Sequence, residues 1–121
     1  MKKLVEQMWK EYGDEVIELE PHFRRLIEEL RTKTSLTYPN LPFAPDEKIG
    51  GTITLTDAKI LYLLIRTIKP KVIFEVGTWI GTSAMIMAEA VKKNGFGKIF
   101  TCDFNNYYSL SYEYNEYITY L

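Results

Sequence analysis

The sequence lacks the features that assign a chain to a membrane, a secretory pathway or nucleic acid. Its 121 residues contain no run of about 18 or more apolar residues, and Met1-Lys2-Lys3 leads into a charged segment instead of an apolar signal core. Lysine and arginine number 15 against 16 aspartate and glutamate, so the net charge is −1 and there is no basic footprint. We therefore expect neither a membrane nor a nucleic-acid partner.

Cysteine and histidine each occur once, which limits disulfide, redox and metal chemistry. Cys102 has no partner for an intrachain disulfide, as is usual in a reducing cytoplasm, and we predict a cytoplasmic protein. His22 follows Pro21 with no nucleophile or ligand cluster nearby, so we interpret it as a surface or helix-start residue. We predict no metal site, and no catalytic residue can be assigned.

The informative part of the chain is a strand, a helix and a second strand. Residues 71–76 are mostly apolar, rich in β-branched side chains and preceded by Pro70, which predicts a parallel strand covered on both faces. Good helix formers in 84–93 end at Asn94-Gly95, a usual helix stop. A second apolar strand is predicted over 98–102. The segment is thus one β-α-β unit.

Both predicted strands end at a carboxylate. Glu75 lies at the end of the first strand, and Asp103 directly follows the second. Ligands of β-α-β units bind outside the carboxyl ends of the strands, so both side chains would meet the turn between Gly77 and Gly81 there. The sequence therefore predicts a cofactor pocket at this edge.

The turn favours S-adenosylmethionine over a dinucleotide. A dinucleotide fingerprint has glycines as G-x-G-x-x-G, whereas this turn reads G-x-x-x-G with Trp79 in place of the middle glycine. The charge of Glu75 opposes a pyrophosphate but attracts the sulfonium and ammonium of S-adenosylmethionine. Asp103 suits the two ribose hydroxyls. Because NAD sites also have an acid there, Asp103 alone does not choose the cofactor.

In order and spacing, residues 49–106 resemble the N-terminal half of a class I S-adenosylmethionine-dependent methyltransferase. Within that class the chain is most similar to small-molecule O-methyltransferases of the catechol and caffeoyl-CoA type. The motifs that carry the resemblance are Gly50-Gly51-Thr52-Ile53-Thr54, Glu75-Val-Gly77-Thr78-Trp79-Ile80-Gly81-Thr82-Ser83 and Gly97-Lys98-Ile-Phe-Thr-Cys-Asp103.

The resemblance implies a role for each residue of the site. Glu75 and the turn backbone would hold the methionine moiety, Ser83 would bond its carboxylate, and Asp103 would hold the ribose. Gly51 and Thr52 would lie over the cofactor, while Phe104 or the neighbouring Asn105 would flank the adenine. The implied cofactor-binding set is Gly51, Thr52, Glu75, Gly77, Thr78, Trp79, Gly81, Ser83, Asp103 and Phe104.

The chain also departs from that family. Its domains have a longer, seven-stranded sheet whose later strands carry the catalytic or metal-binding carboxylates, and no matching pattern occurs here. We therefore expect a truncated Rossmann-like α/β fold with half a cofactor site and a small-molecule methyl acceptor that the sequence does not identify. The alternatives are a non-catalytic binding or assembly module and, less favoured, a fragment of an NAD-binding dehydrogenase.

The predicted organisation has two parts: residues 1–48 form a helical arm with a proline-rich linker, and 49–121 form the partial cofactor-binding domain. The arm should be helical to about residue 33, broken near Gly13 and perturbed at Pro21. The linker, 34–54, is either a surface connection or a flap over the cofactor. A helix over 55–68 follows it, started by Thr54 and Asp57.

Six of the nine tyrosines lie in the tail, residues 107–121. The position after the second strand favours a helix there, and we predict one, although the tyrosines also permit a third strand that folds back. Two parallel strands alone would leave unpaired edges. We therefore predict a homodimer that buries the tail, with the folded-back strand as the alternative remedy.

Overall fold

The computed structural model of the protein describes residues 1–37, 53–107 and 112–121. Within them it has three helices and a three-stranded sheet. The elements are α1 (Lys2–Thr37), α2 (Leu55–Ile68), β1 (Val72–Val76), α3 (Thr82–Asn94), β2 (Lys98–Cys102) and β3 (Ile118–Tyr120), with a 3-10 turn at Tyr112–Tyr114. The linker predicted between the arm and α2 lies mostly outside the described residues.

The N-terminal arm is one continuous helix, so the predicted break near Gly13, the perturbation at Pro21 and the end at residue 33 are wrong. A helical proline costs about 3 kcal/mol and a glycine up to about 1 kcal/mol. Burial of a large apolar side chain contributes roughly 1.5–3 kcal/mol, so several together outweigh both. The buried stripe of α1 comprises Met8, Val16, Phe23, Leu26 and Leu30.

The next two helices have clear local start and stop signals. Thr54 caps α2, because its hydroxyl oxygen accepts from the Asp57 backbone N–H at 3.1 Å, and the bounds of α2 match the prediction. Helix α3 starts two residues before the predicted segment. It ends at Gly95, whose positive φ of 79° suits glycine and whose N–H donates to the carbonyls of Val91 and Lys92.

The sheet is parallel, in the order β1-β2-β3. The predicted helix over the tail is therefore wrong: within the described part, the tail has the 3-10 turn and then β3. The folded-back strand is the alternative that the structure bears out. Ile99 N–H donates to the Tyr117 carbonyl at 2.8 Å, and Leu121 N–H to the Thr101 carbonyl at 2.9 Å. Pairing one edge of β2 outweighs the local preference for a helix.

The described helices lie on one face of this sheet. Ile99 and Ile118 are buried beneath α3, whereas Val72, Phe74 and Val76 on the other side of β1 are 63%, 61% and 78% exposed. The prediction that β1 is covered on both faces is thus wrong for the described residues. An apolar run cannot distinguish a strand with two covered faces from one with a single covered face.

Polar contacts fasten the helices to one another. Glu15 of α1 accepts from the Arg66 guanidinium at 2.8 and 3.1 Å and from the Tyr62 hydroxyl. Glu89 of α3 accepts from the Tyr114 hydroxyl at 2.6 Å and lies 3.0 Å from His22 Nε2. The lone histidine therefore lies in the middle of α1, partly buried in a contact with α3, and its interpretation as a helix-start residue is wrong.

Candidate cofactor site at the strand ends

The carboxyl ends of β1 and β2 meet, because Val76 pairs with Cys102 in the parallel register. The chain turns sharply at Gly77, whose φ of 93° is accessible mainly to glycine. The N–H groups of Gly77 and Thr78 donate to the Cys102 carbonyl at 2.8 and 3.1 Å. These bonds hold the turn over the end of β2.

The turn leads directly into α3 at Gly81, which also has a left-handed φ, 94°. No side chain caps this helix within the described part of the chain. The first N–H groups of an α-helix have no intrahelical acceptor and carry the positive end of the helix dipole. The start of α3 is therefore suited to an anionic group such as a carboxylate.

Trp79 takes a left-handed backbone conformation, with φ 50°, that is rare outside glycine. Its backbone N–H donates to Asp103 Oδ2 at 2.6 Å, and its ring meets that of Tyr107 edge-on at a centroid distance of 5.3 Å. Together these contacts hold Trp79 in the strained conformation. The ring thus packs at the mouth of the site, on the side of the tail.

Glu75 points to the helical side of the sheet and is half-buried, so it is not a freely solvated strand end. Its Oε2 accepts from the Ser83 hydroxyl at 2.5 Å, and its Oε1 accepts from the Thr101 hydroxyl at 2.7 Å. Each carboxylate oxygen can accept a second hydrogen bond. Glu75 is therefore held in one orientation while it keeps acceptor capacity.

Asp103 links the turn after β1 to the turn after β2 by hydrogen bonds. Besides Trp79, its carboxylate accepts from the backbone N–H of Phe104 at 2.6 Å and, more weakly, of Asn105 at 3.4 Å. The Trp79 N–H is the main reason that the pKa of Asp103 lies below its ordinary value of 3.8, and burial opposes it. The capping role that strand-end aspartates often have is thus present here.

Replacing Asp103 by asparagine should lower stability at pH 7, because an amide oxygen replaces two charged acceptors. A folded-state pKa below the unfolded one contributes stability at pH values above the unfolded pKa, which is lost as pH falls through the folded pKa. The gap between wild type and Asp103→Asn should therefore shrink below about pH 4. Urea unfolding across pH 2–7 measures it, with exposed Asp14→Asn as control; a gap unchanged by acid contradicts the assignment.

A small cleft of about 30 Å³ opens beside the turn. Ligand sites for drug-sized molecules are usually about 300 Å³ or more, so this cleft has room for a small polar group and not for a whole cofactor. It is lined by Ile53, Gly77, Thr78, Trp79, Ile80, Thr82 and Ser83. Across the described ranges, no group of three histidine, cysteine, aspartate or glutamate side chains is placed to hold a metal.

The structure gathers most of the predicted site residues but not all of them. Glu75, Ser83, Asp103 and the turn meet at one edge of the sheet. Phe104, in contrast, is 98% exposed, and Gly51 with Thr52 lies outside the described residues.

Sequence reasoning missed Thr101 and Thr82. A hydroxyl residue inside the apolar strand 98–102 was a usable signal for the first, since in-register pairing places Thr101 opposite Glu75. Thr82 has a buried hydroxyl with no hydrogen-bond partner among the described residues, and nothing in the sequence distinguished it from an ordinary first-turn threonine.

A parallel β-α-β unit with polar groups at its strand ends defines a Rossmann-like α/β domain. The family model described as "O-methyltransferase" matches residues 21–119, and the chain belongs to this family. The family is a class I, S-adenosylmethionine-dependent one, so the resemblance and the fold class predicted from the sequence are confirmed. No curated protein matches the chain. None of the described helices is both long and apolar enough to cross a membrane.

Proposed function

We propose that this chain binds S-adenosylmethionine at the ends of β1 and β2 and serves methyl transfer to a hydroxyl of a small molecule. The observation that carries the proposal is the Glu75 carboxylate, oriented by Ser83 and Thr101 beside the uncapped start of α3. One carboxylate and one helix N-terminus suit the opposite charges of the cofactor's amino-acid end. Family membership supports the same cofactor.

The residues present fit the chemistry of the cofactor. Glu75 would hold the cationic end, the start of α3 with Ser83 would hold the carboxylate, and Asp103 would accept from the ribose. The buried hydroxyl of Thr82 beside the cleft has no partner among the described residues. An unpaired buried hydroxyl costs about 1–3 kcal/mol, which a polar ligand offsets. When bound, S-adenosylmethionine supplies an electrophilic methyl group for an acceptor oxygen.

Two contacts, one of Ser83 and one of Trp79, bear on how the described residues would bind and orient the cofactor. The hydroxyl of Ser83 has one hydrogen, which it donates to Glu75, so that hydrogen must rotate away before Ser83 can donate to a ligand carboxylate. Trp79, whose ring packs against that of Tyr107, borders the cleft. Binding and orientation are thus the work of the described residues.

The turn also argues against NAD. Trp79 stands where a dinucleotide fingerprint has a glycine, and its side chain fills space that a pyrophosphate needs for close backbone approach. Glu75 would repel that pyrophosphate. An NAD-binding role is therefore disfavoured by the same residues that favour a cationic ligand.

Calorimetric titration of the chain with S-adenosylhomocysteine tests the proposal. This demethylated product keeps the amino acid, the ribose and the adenine, and it should bind with one-to-one stoichiometry, while NAD gives no heat of binding. Tighter binding of NAD contradicts the proposal. A folded chain that binds neither compound favours the alternative of a non-catalytic assembly module.

We also propose a homodimer, as expected from the sequence, but formed through β1 and not by burying the tail, since residues 118–120 pair with β2 in the same chain. The exposed apolar side chains of β1 (Val72, Phe74 and Val76) and the edge of that strand support it, since exposed edges and apolar faces favour association. Light scattering coupled to size exclusion should give twice the chain mass of 14.2 kDa. Phe74→Lys should shift the population to monomer, whereas a monomeric wild type contradicts the proposal.

A further inference from the structure

We propose that Thr101, supported by Thr78, is a positioning residue that aims the Glu75 carboxylate at the cofactor's cationic end. This inference rests on the proposed function and assigns a task to Thr101, which does not line the cleft, and to the hydroxyl of Thr78, which does. It follows from a chain of hydrogen bonds that runs from the turn, through β2, to β1.

The two strands bring the groups together by register. Thr101 is the parallel partner of Glu75, and both side chains lie on the helical face of the sheet. The distance from Thr101 Oγ1 to Glu75 Oε1 is 2.7 Å, and that from Thr101 Oγ1 to Thr78 Oγ1 is also 2.7 Å. Thr101 is 0% exposed and Thr78 is 1% exposed, so water does not compete for these bonds.

The direction of donation along these hydrogen bonds follows from counting the hydrogens of each group. A carboxylate has no hydrogen, so the Thr101 hydroxyl donates its single hydrogen to Glu75. Thr101 can then only accept from Thr78, which must be the donor of the second bond. The order is therefore Thr78 to Thr101 to Glu75. Bonds aligned in this way polarise one another and strengthen the last one, at the carboxylate.

This arrangement fixes the carboxylate from two sides. Ser83 of α3 holds Oε2 and Thr101 of β2 holds Oε1. When Ser83 turns its single hydrogen toward a ligand carboxylate, the bond from Thr101 remains and keeps the carboxylate of Glu75 in place. A binding group held by such neighbouring bonds loses less entropy when a ligand arrives. The strand alone does not require a hydroxyl here, because valine has the same branched shape and suits a buried strand.

The test compares Thr101→Val with Thr101→Ser and with Thr119→Val as the matched control. Thr119 is paired with Phe100, so it lies in the same sheet but on the opposite face. The readout is the dissociation constant for S-adenosylhomocysteine, with urea unfolding measured in parallel. Thr101→Val should weaken binding about tenfold, while Thr101→Ser and Thr119→Val stay within about twofold of wild type.

A double-mutant cycle with Glu75→Gln separates positioning from a general structural effect. If Thr101 acts through Glu75, Thr101→Val should weaken binding about tenfold in the wild-type background and less than about twofold beside Glu75→Gln. Equal losses in both backgrounds, or a Thr101→Val chain that binds like wild type, overturn the inference and leave the proposed function standing. A wild-type chain that does not bind S-adenosylhomocysteine overturns both.

Discussion

Glu75→Gln should weaken the binding of S-adenosylhomocysteine about thirtyfold, which corresponds to about 2 kcal/mol. Glutamine has the same shape, but it lacks the charge that attracts the ammonium group of this ligand. It also has a single acceptor oxygen, whereas Glu75 accepts from two hydroxyls on separate oxygens. Either Ser83 or Thr101 would then face an amide N–H, so its hydroxyl would have to accept that hydrogen bond instead of donating one.

The matched control for this change is Glu18→Gln, which removes the same charge from an exposed position on α1. Calorimetry should give the wild-type dissociation constant for that control. If both variants weaken binding by the same factor, net charge and not the placement of Glu75 governs affinity, and the site is wrongly assigned. Circular dichroism before each titration establishes that both variants are folded.

Phe23→Ala should cost about 3–5 kcal/mol of the free energy of unfolding, the largest loss that we expect from a single substitution. Phe23 of α1 is 0% exposed, and its ring lies 5.5 Å from that of buried Tyr62 in α2. The substitution opens a cavity between these two helices. Since small domains are stable by only about 5–15 kcal/mol, much of the chain would then be unfolded at moderate temperature.

Urea unfolding followed by circular dichroism measures this loss. The control is Phe104→Ala, which removes the same ring from a side chain that is 98% exposed and should change stability by less than about 0.5 kcal/mol. A loss below about 1 kcal/mol for Phe23→Ala would mean that α1 is not part of the cooperative core. The arm would then be an appendage to the sheet.

The sequence predicted correctly those elements, α2 and β2, whose bounds are set by residues within or next to the element. The threonine cap and the apolar spacing of α2 gave its bounds, and the short apolar run of β2 was correctly delimited. In α1 and the tail, contacts with residues distant in the sequence determine the conformation. Packing of α1 on α2 overrides the glycine and the proline, and the free edge of β2 draws residues 118–120 into a strand.

The site was predictable to the extent that topology dictates it. A strand, a glycine turn and a helix place Glu75 and the start of α3 together in any parallel unit, and the structure bears out this placement. The hydrogen bonds from the Ser83 and Thr101 hydroxyls to Glu75 were not predictable, because they depend on the strand register. That register pairs Glu75 with Thr101 and turns Ser83 toward the carboxylate.

Chemical-shift mapping of the ¹⁵N-labelled chain during titration with S-adenosylhomocysteine shows where on the fold the ligand binds. We expect the largest amide shifts in the turn and at the start of α3, at Gly77, Gly81, Thr82 and Ser83, together with Asp103. Amides in the first half of α1 should stay unchanged. Shifts concentrated on α1 or on the outer face of β1, or no shifts at saturating ligand, would contradict this expectation.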